Sequence, residues 1–541
     1  MQFIKVHIEK LAAALGKSAS VIVAALLLGF YLGLPLKWIV GISLLLVCAC
    51  ASSISRSHSV LQSESSAADR RSTQVLLLLL ATYPVLVFLV QCARQANGNQ
   101  GLDFAIFSQV VEQVRVQGSM RSSLLDGQWH NFLSHHFSPY LFAVGLLSRI
   151  LGSAQYTLLF LHSLALAAIL WLAFTIARAV NLDRGSAVLL ACCVIISPAA
   201  RVSLLWEVRD EIFALPLLLA ALLSWLRKRD RLAVGFLVCS WCFKETMLIA
   251  SSSFCLMALA TYWRDGDKRR KPGRDLYLLC LGMGTLGFIL YSKVLAGWMF
   301  IPTFSAAARV SNVPQLFDLD LLRQKFWWFA TILIPCLPLL TIGVVSALRT
   351  QGGFTRYCLC LGCFLLPAAP FVAIILVSNF SGMFHPLNYY SVVPALLLLL
   401  GIFLSLPAVE GSATRTALAL TCMLAGAIGP PSDIPNELQQ AIVQESPVTP
   451  LRALIAPSAI VLAGDWDASF FVQQERVMRL YHANRNIMKF DFIVQRKFPP
   501  HESRSIKLSA YLRGWSTPCY EDQFWLVRCA YPGARPQSPT Q

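Results

Sequence analysis

QVLLLLLATYPVLVFLVQCARQANGNQGLDFAIFSQVVEQVRVQG, residues 74–118, sets the pattern of the whole chain. Its first part, 75–93, is an apolar run of the length that crosses a bilayer, about 20 residues. Its second part turns polar. After Asp103, Phe107, Val110, Val111 and Val114 recur at helical spacing, which describes an amphipathic helix at a membrane surface with Asp103 at its N-terminal end. The alternation of apolar run and polar loop then continues to residue 430. Because a polar group beside hydrocarbon is costly unless paired or used, the loops are where chemistry is expected.

Composition agrees. The chain has 541 residues, 56% hydrophobic and only 13% charged, with mean hydropathy +0.60, the signature of a multispan membrane protein. Apolar runs predict helices near 19–34, 37–51, 75–93, 154–177, 185–200, 210–226, 232–243, 246–262, 276–293, 326–348, 357–378, 391–408 and 415–430. The expected fold is therefore an α-helical polytopic bundle of about 11–13 transmembrane helices.

Lysine and arginine set the orientation, since they collect in short cytoplasmic loops. Lys5, Lys10 and Lys17 put the N-terminus inside. Arg227, Lys228, Arg229 and Arg231, and the run from Arg264 to Arg274, fall on the same side. The net charge of +17 is largely this signal and does not argue for nucleic acid. The first apolar run lacks a small-x-small site and a second follows at once, so a helical hairpin is expected there, not a cleaved leader. The divisions read as 1–74, hairpin and Ser-rich linker; 75–430, transmembrane bundle with a large outer loop at 94–153; and 431–541, a tail outside the membrane. The tail exchanges long apolar runs for short alternating ones, SAIVLAG, KFDFIVQ and QFWLVRC, which predict a small α/β domain.

Most of the 16 cysteines lie in apolar runs, where a thiol acts as a small hydrophobe. Cys358, Cys360 and Cys363 have metal-like spacing but no histidine partners, so packing is the better reading. Cys519 and Cys529 flank YEDQFWLVR in the outer tail, where an oxidising compartment favours a disulfide.

The outer loops supply the candidate site. Asp103 reads either as a helix cap or as a carboxylate base at the membrane–water boundary. His135 and His136, in HNFLSHHFSPYLF, suit hydrogen bonding to an anionic phosphate, or a divalent metal shared with Asp103 as the minority reading. WEVRDE crowds Glu207, Arg209, Asp210 and Glu211 before an apolar helix, with pairing expected inside the segment and helix-start acids favoured by the dipole. Lys244 and Glu245, in WCFKETMLI, are ionisable groups at membrane depth, expected to partner each other. FHPLNYYSVVP adds His385 and Tyr389 before a span, as substrate-binding or interfacial groups. Asp465 and Asp467 in the tail read as loop acids.

The order LDFAIFSQ, HHFSPYL, WEVRDE, FKE, HPLNYY resembles an uncharacterised family of bacterial membrane proteins grouped with the GT-C glycosyltransferases, which include protein mannosyltransferases and the aminoarabinose transferase of lipid A. The resemblance covers roughly residues 75–500 and rests on the order of motifs. It implies a GT-C-like bundle in the bacterial plasma membrane, with the tail extracytoplasmic. It also implies inverting sugar transfer from a polyprenyl-phosphate donor to a glycan, lipid or protein acceptor on the outer face. Asp103 then matches the catalytic base of the first outer loop, Asp210 or Glu211 the acid after the third bundle helix, and Lys244 a later lysine. Lys244, Arg209, His135 and His136 are the candidate donors to the departing phosphate, and Asp210, Glu211 and Glu245 are counted with them as substrate-binding. The chain departs from the pattern in WEVRDE, where a histidine is usual. The alternatives are a lipid or polysaccharide transporter or flippase, and a non-catalytic GT-C-like protein.

Overall fold

A computed structural model describes residues 65–96, 100–124, 129–134, 136–197, 208–265, 271–291, 319–348, 353–377, 392–406, 411–427 and, in the tail, 455, 459–463, 471, 476–479, 491–496, 517–521 and 525–529. The expected hairpin at 19–51 lies outside them. The described helices are α1 Ser65–Ala96, α2 Leu102–Gln117, α3 Tyr140–Leu151, α4 Ala154–Ala179, α5 Arg184–Ile196, α6 Asp210–Leu226, α7 Asp230–Ser240, α8 Thr246–Asp265, α9 Lys271–Leu290, α10 Leu319–Leu333, α11 Leu337–Leu348, α12 Gly353–Leu365, α13 Ala369–Val377, α14 Val392–Ser405 and α15 Gly411–Ala427. Among the described residues, five helical stretches are long and apolar enough to cross a membrane: Ser72–Gln95, Ala154–Ala179, Thr246–Arg264, Gly273–Leu290 and Leu322–Leu348.

Proline explains where the elements differ from the apolar runs. The run 326–348 divides into α10 and α11 around a 3-10 turn, Ile334–Cys336, that contains Pro335. The run 357–378 divides into α12 and α13 at a turn holding Pro367. A proline removes an amide donor and its ring clashes with the preceding turn, so a continuous helix gives way there. The outer loop also contains more helix than expected, because YLFAVGLLSRIL forms α3 directly after Pro139.

Contacts divide the chain into two units, one of residues 1–87, 162–205 and 210–436, the other of 88–161, 206–209 and 437–541. In the first, α6 packs with α7, α8 with α9, and α5 with α15. Helices in lipid gain little from hydrophobic transfer and associate by close packing. A Cβ on Gly401 of α14 would stand 2.5 Å from the Phe364 carbonyl of α12, so glycine alone permits that approach. Asp230, at the start of α7, accepts hydrogen bonds from Tyr262 Oη of α8 at 2.6 Å and Tyr277 Oη of α9 at 3.4 Å, tying three helices together.

The second unit holds α2, α3 and the sheets. Gly145 of α3 lies so close to α2 that a Cβ there would meet Val114 at 2.4 Å. Arg149 of α3 donates to the carbonyls of Arg115 at 2.9 Å and Val114 at 3.0 Å, closing the C-terminal end of α2 where orphan acceptors collect. The surface-lying amphipathic helix expected at this position is corrected in one respect: α2 is buried without interruption from Phe104 to Val114. Its polar side chain Gln109 is paired inside. Gln109 donates to Ser123 Oγ at 2.9 Å and accepts from Ser122 Oγ at 2.8 Å and the Ser123 amide at 2.9 Å. Those serines follow from a short antiparallel ladder between β1 Arg121–Ser122 and β2 His130–Asn131.

In the tail, β3 Ile460–Ala463, β4 Arg476–Arg479, β5 Phe492–Arg496, β6 Thr517–Glu521 and β7 Trp525–Cys529 form one mixed sheet in the order β4-β3-β5-β7-β6. β3 runs parallel to both β4 and β5, whereas β7 is antiparallel to β5 and β6. Val461, Ala463, Phe492, Ile493, Val494 and Val527 are buried. Cys519 and Cys529 fall on the adjacent strands β6 and β7, with Cys529 opposite Thr517 and a register shift between Pro518 and Tyr520.

Candidate functional site

Two groups of charged side chains stand out, one in each unit. The first centres on Asp103. Gly101 occupies the cap position of α2, and Asp103 stands one residue inside the first turn. The helix-cap reading of Asp103 is therefore corrected. Its carboxylate Oδ2 is met by Nη1 of Arg209, which reaches outside its own WEVRDE segment for this partner. Arg209 thus has a partner beyond the segment within which its pairing was expected. The two partners differ in access: the Arg209 side chain is 7% exposed and that of Asp103 is 35% exposed. A nearly buried guanidinium thus holds a carboxylate that solvent still reaches.

His136 is placed in the same unit by ring packing. Phe107 lies one turn beyond Asp103 on the same helical face, and its ring meets Phe132 edge-on with centroids 5.9 Å apart. Phe132, fully buried, packs in turn against the His136 imidazole at 6.0 Å. The His136 amide donates to the Phe132 carbonyl at 3.0 Å.

The second group surrounds Lys244, in the turn between α7 and α8. Lys244 Nζ donates to Glu211 Oε1 at 2.5 Å. The side chains of Lys244 and Glu211 are only 10% and 9% exposed, and Asp210 and Glu245 are buried as well. Lys244 therefore hydrogen-bonds across to the first turn of α6, while the neighbouring Glu245, its expected partner, acts on it through its charge. Burial opposes its charge. The fields of Glu211, Asp210 and Glu245, with the hydrogen bond to Glu211, outweigh that cost and hold the ammonium above its ordinary pKa. Tyr291, buried just beyond α9, lies in the field of Glu245. Tyr291 is a member the sequence did not reveal, because a tyrosine at the end of a span reads as part of an interfacial belt.

His135, Glu207, His385 and Tyr389, with Asp465 and Asp467, lie outside the described residues. Among the described residues, no three His, Cys, Asp or Glu side chains converge in a way that could hold a metal ion.

Apolar spanning helices packed against one another define an integral membrane protein. The chain belongs to the family described as "Predicted membrane protein (DUF2079)", which it matches over residues 99–516. Its fold is similar to that of ArnT from Cupriavidus metallidurans in a crystal structure bound to undecaprenyl phosphate, with a TM-score of 0.51 and 12% identity over 85% of this chain and 99% of that one. The apo-state crystal structure of the same ArnT gives a TM-score of 0.41 and 10% identity over 86% of this chain and 100% of that one. No curated protein matches in sequence.

Proposed function

We propose that this chain is a glycosyltransferase of the bacterial plasma membrane that moves a sugar from a polyprenyl-phosphate donor to an acceptor on the outer face. The N-terminus is cytoplasmic and the sheet-bearing tail extracytoplasmic in this reading. The observation that carries it is the Asp103–Arg209 pair, an accessible carboxylate fixed by a nearly buried cation in the first outer segment of a GT-C-like fold. The structural neighbour crystallised with undecaprenyl phosphate supports the choice of donor class.

Asp103 takes the proton of an acceptor hydroxyl as that oxygen attacks the anomeric carbon of the donor. The bond from that carbon to the phosphate oxygen breaks, its electron pair leaves with the phosphate, and configuration inverts. Arg209 is a positioning residue: by engaging Oδ2 it fixes the carboxylate. His135 and His136 offer donors to the leaving phosphate, and His385 and Tyr389 are proposed to contact substrate. Lys244 faces Asp210, Glu211 and Glu245, so its charge is largely spent on those acids, and it serves to anchor them and the start of α6.

The test is incubation of the purified protein with a panel of radiolabelled polyprenyl-phosphate sugars and a membrane extract. Transfer of label to an extract component is expected. Folded protein that transfers from none of the donors would overturn the reading.

A further inference from the structure

The end of α1 and the approach to α2 contain buried amide side chains that the fold uses only in part and the proposed chemistry above does not use. Gln91, Gln95 and Gln100 are all buried, Gln95 being 4% exposed. Gln91 and Gln95 are four residues apart on α1 and so share a face. Gln100, just before α2, folds back to donate through Nε2 to Gln91 Oε1 at 2.6 Å and to the Gln91 carbonyl at 3.1 Å. That leaves the Gln100 Oε1 acceptor without a partner among the described residues, together with both amide atoms of Gln95. A buried amide with neither donor nor acceptor engaged works against folding and calls for an explanation.

We infer that Gln95, with Gln100 Oε1, forms a recognition subsite for the hydroxyl groups of a sugar, the part of the donor that is transferred; this rests on the glycosyltransferase reading above. A primary amide presents a donor and an acceptor side by side in one plane. Neighbouring hydroxyls of a sugar ring offer the complementary pair, each being both donor and acceptor. The amides carry no charge, so they fit the neutral sugar better than its phosphate, which would gain only from the Nε2 donor. Gln100 stands three positions before Asp103, which puts the subsite on the segment that carries the proposed base.

The experiment uses the full-length protein and Gln95→Met, which keeps the length of the side chain and removes its polar atoms. Without lipid present, the thermal midpoint of Gln95→Met should equal or exceed that of the wild type. A fall of several degrees would show that the amide serves the fold and would overturn the proposal. Equilibrium binding of the same radiolabelled polyprenyl-phosphate monosaccharides, competed with sugar-free polyprenyl phosphate, gives the second readout and needs no turnover. The wild type should prefer a sugar-bearing lipid, and Gln95→Met should lose roughly tenfold or more of that preference, the worth of one well-made hydrogen bond. Preference lost in the variant while the wild type transfers nothing would sustain the subsite and sink the transferase reading. Preference kept in the variant, or absent from the wild type, would overturn the subsite even where transfer is observed.

Discussion

Asp103–Arg209 and Glu211–Lys244 are both carboxylate–cation pairs of this chain, yet they are built for different work. In the first, one partner is buried and the carboxylate is 35% exposed. In the second both partners are nearly buried, and two further acids, Asp210 and Glu245, act on the same lysine. An accessible carboxylate held from one side can exchange a proton with a substrate. A closed cluster of opposite charges mainly holds its elements together, and breaking it strands charge in a poorly solvated place. Access, more than the presence of charge, separates the candidate base from the candidate anchor.

The widest expected effect is on transfer. Asp103→Asn keeps size and polarity but removes the basic oxygen, so transfer should fall roughly 10²–10⁴-fold. Lys244→Met should instead destabilise the protein by about 3–5 kcal/mol, because it leaves buried carboxylates without their cation. Adding Glu211→Gln should recover part of that loss in thermal unfolding, and a neutral outcome for Lys244→Met alone would show that the cluster is not an anchor. Arg209→Gln should lower kcat roughly tenfold to a hundredfold with little change in KM, since a carboxylate displaced by about 1 Å is costly to catalysis. Arg209→Lys should restore part of the rate. A KM effect alone would assign Arg209 to substrate binding.

The smallest expected effect is in pH dependence. The folded pKa of Lys244 is raised above its ordinary 10.5, so the stability it contributes is complete below that ordinary value. It is lost only as pH rises through the higher folded value. The stability gap between wild type and Lys244→Met should therefore not decline between neutral pH and about pH 10 on account of this lysine. A gap that closes with rising pH in that range would mean that the lysine loses its proton earlier than its surroundings imply.

The bundle was legible because apolar length is a strong signal. The run read as 210–226 is α6, residue for residue, with its two acids in the first turn. Two runs were read through Pro335 and Pro367 because neighbouring helices let membrane helices tolerate proline, and only packing decides whether a given proline breaks one. α3 was missed because its 12 residues are too few to span a bilayer. The candidate residues were legible as polar groups beside hydrocarbon, but their partners were not. Nothing local in LDFAIF or WEVRDE shows that Asp103 will meet Arg209, and WCFKET does not show that Lys244 will reach back to Glu211. Sequence neighbours were the default partners, and tertiary packing added Asp103 and Glu211 to them.

The same packing brings thiols together. Cys193 of α5 and Cys422 of α15 have Sγ atoms 3.1 Å apart, so copper–phenanthroline oxidation should link them, as read by mass spectrometry of the crosslinked peptides. Cys519 and Cys529, on neighbouring strands, should be recovered as a linked pair without added oxidant. Free thiols at both positions would remove that disulfide from the account.

The contrast between an open and a closed pair is tested most directly by the transfer rate per folded molecule of Asp103→Asn, set beside that of Lys244→Met in the same preparation. Asp103→Asn should fold with a lowered thermal midpoint, because it leaves the nearly buried Arg209 facing an uncharged amide. Per folded molecule it should transfer at least about a hundredfold more slowly, while the folded fraction of Lys244→Met should keep most of its activity. Near-normal transfer by folded Asp103→Asn would contradict the account and pass the role of base to another acid, Glu211 first.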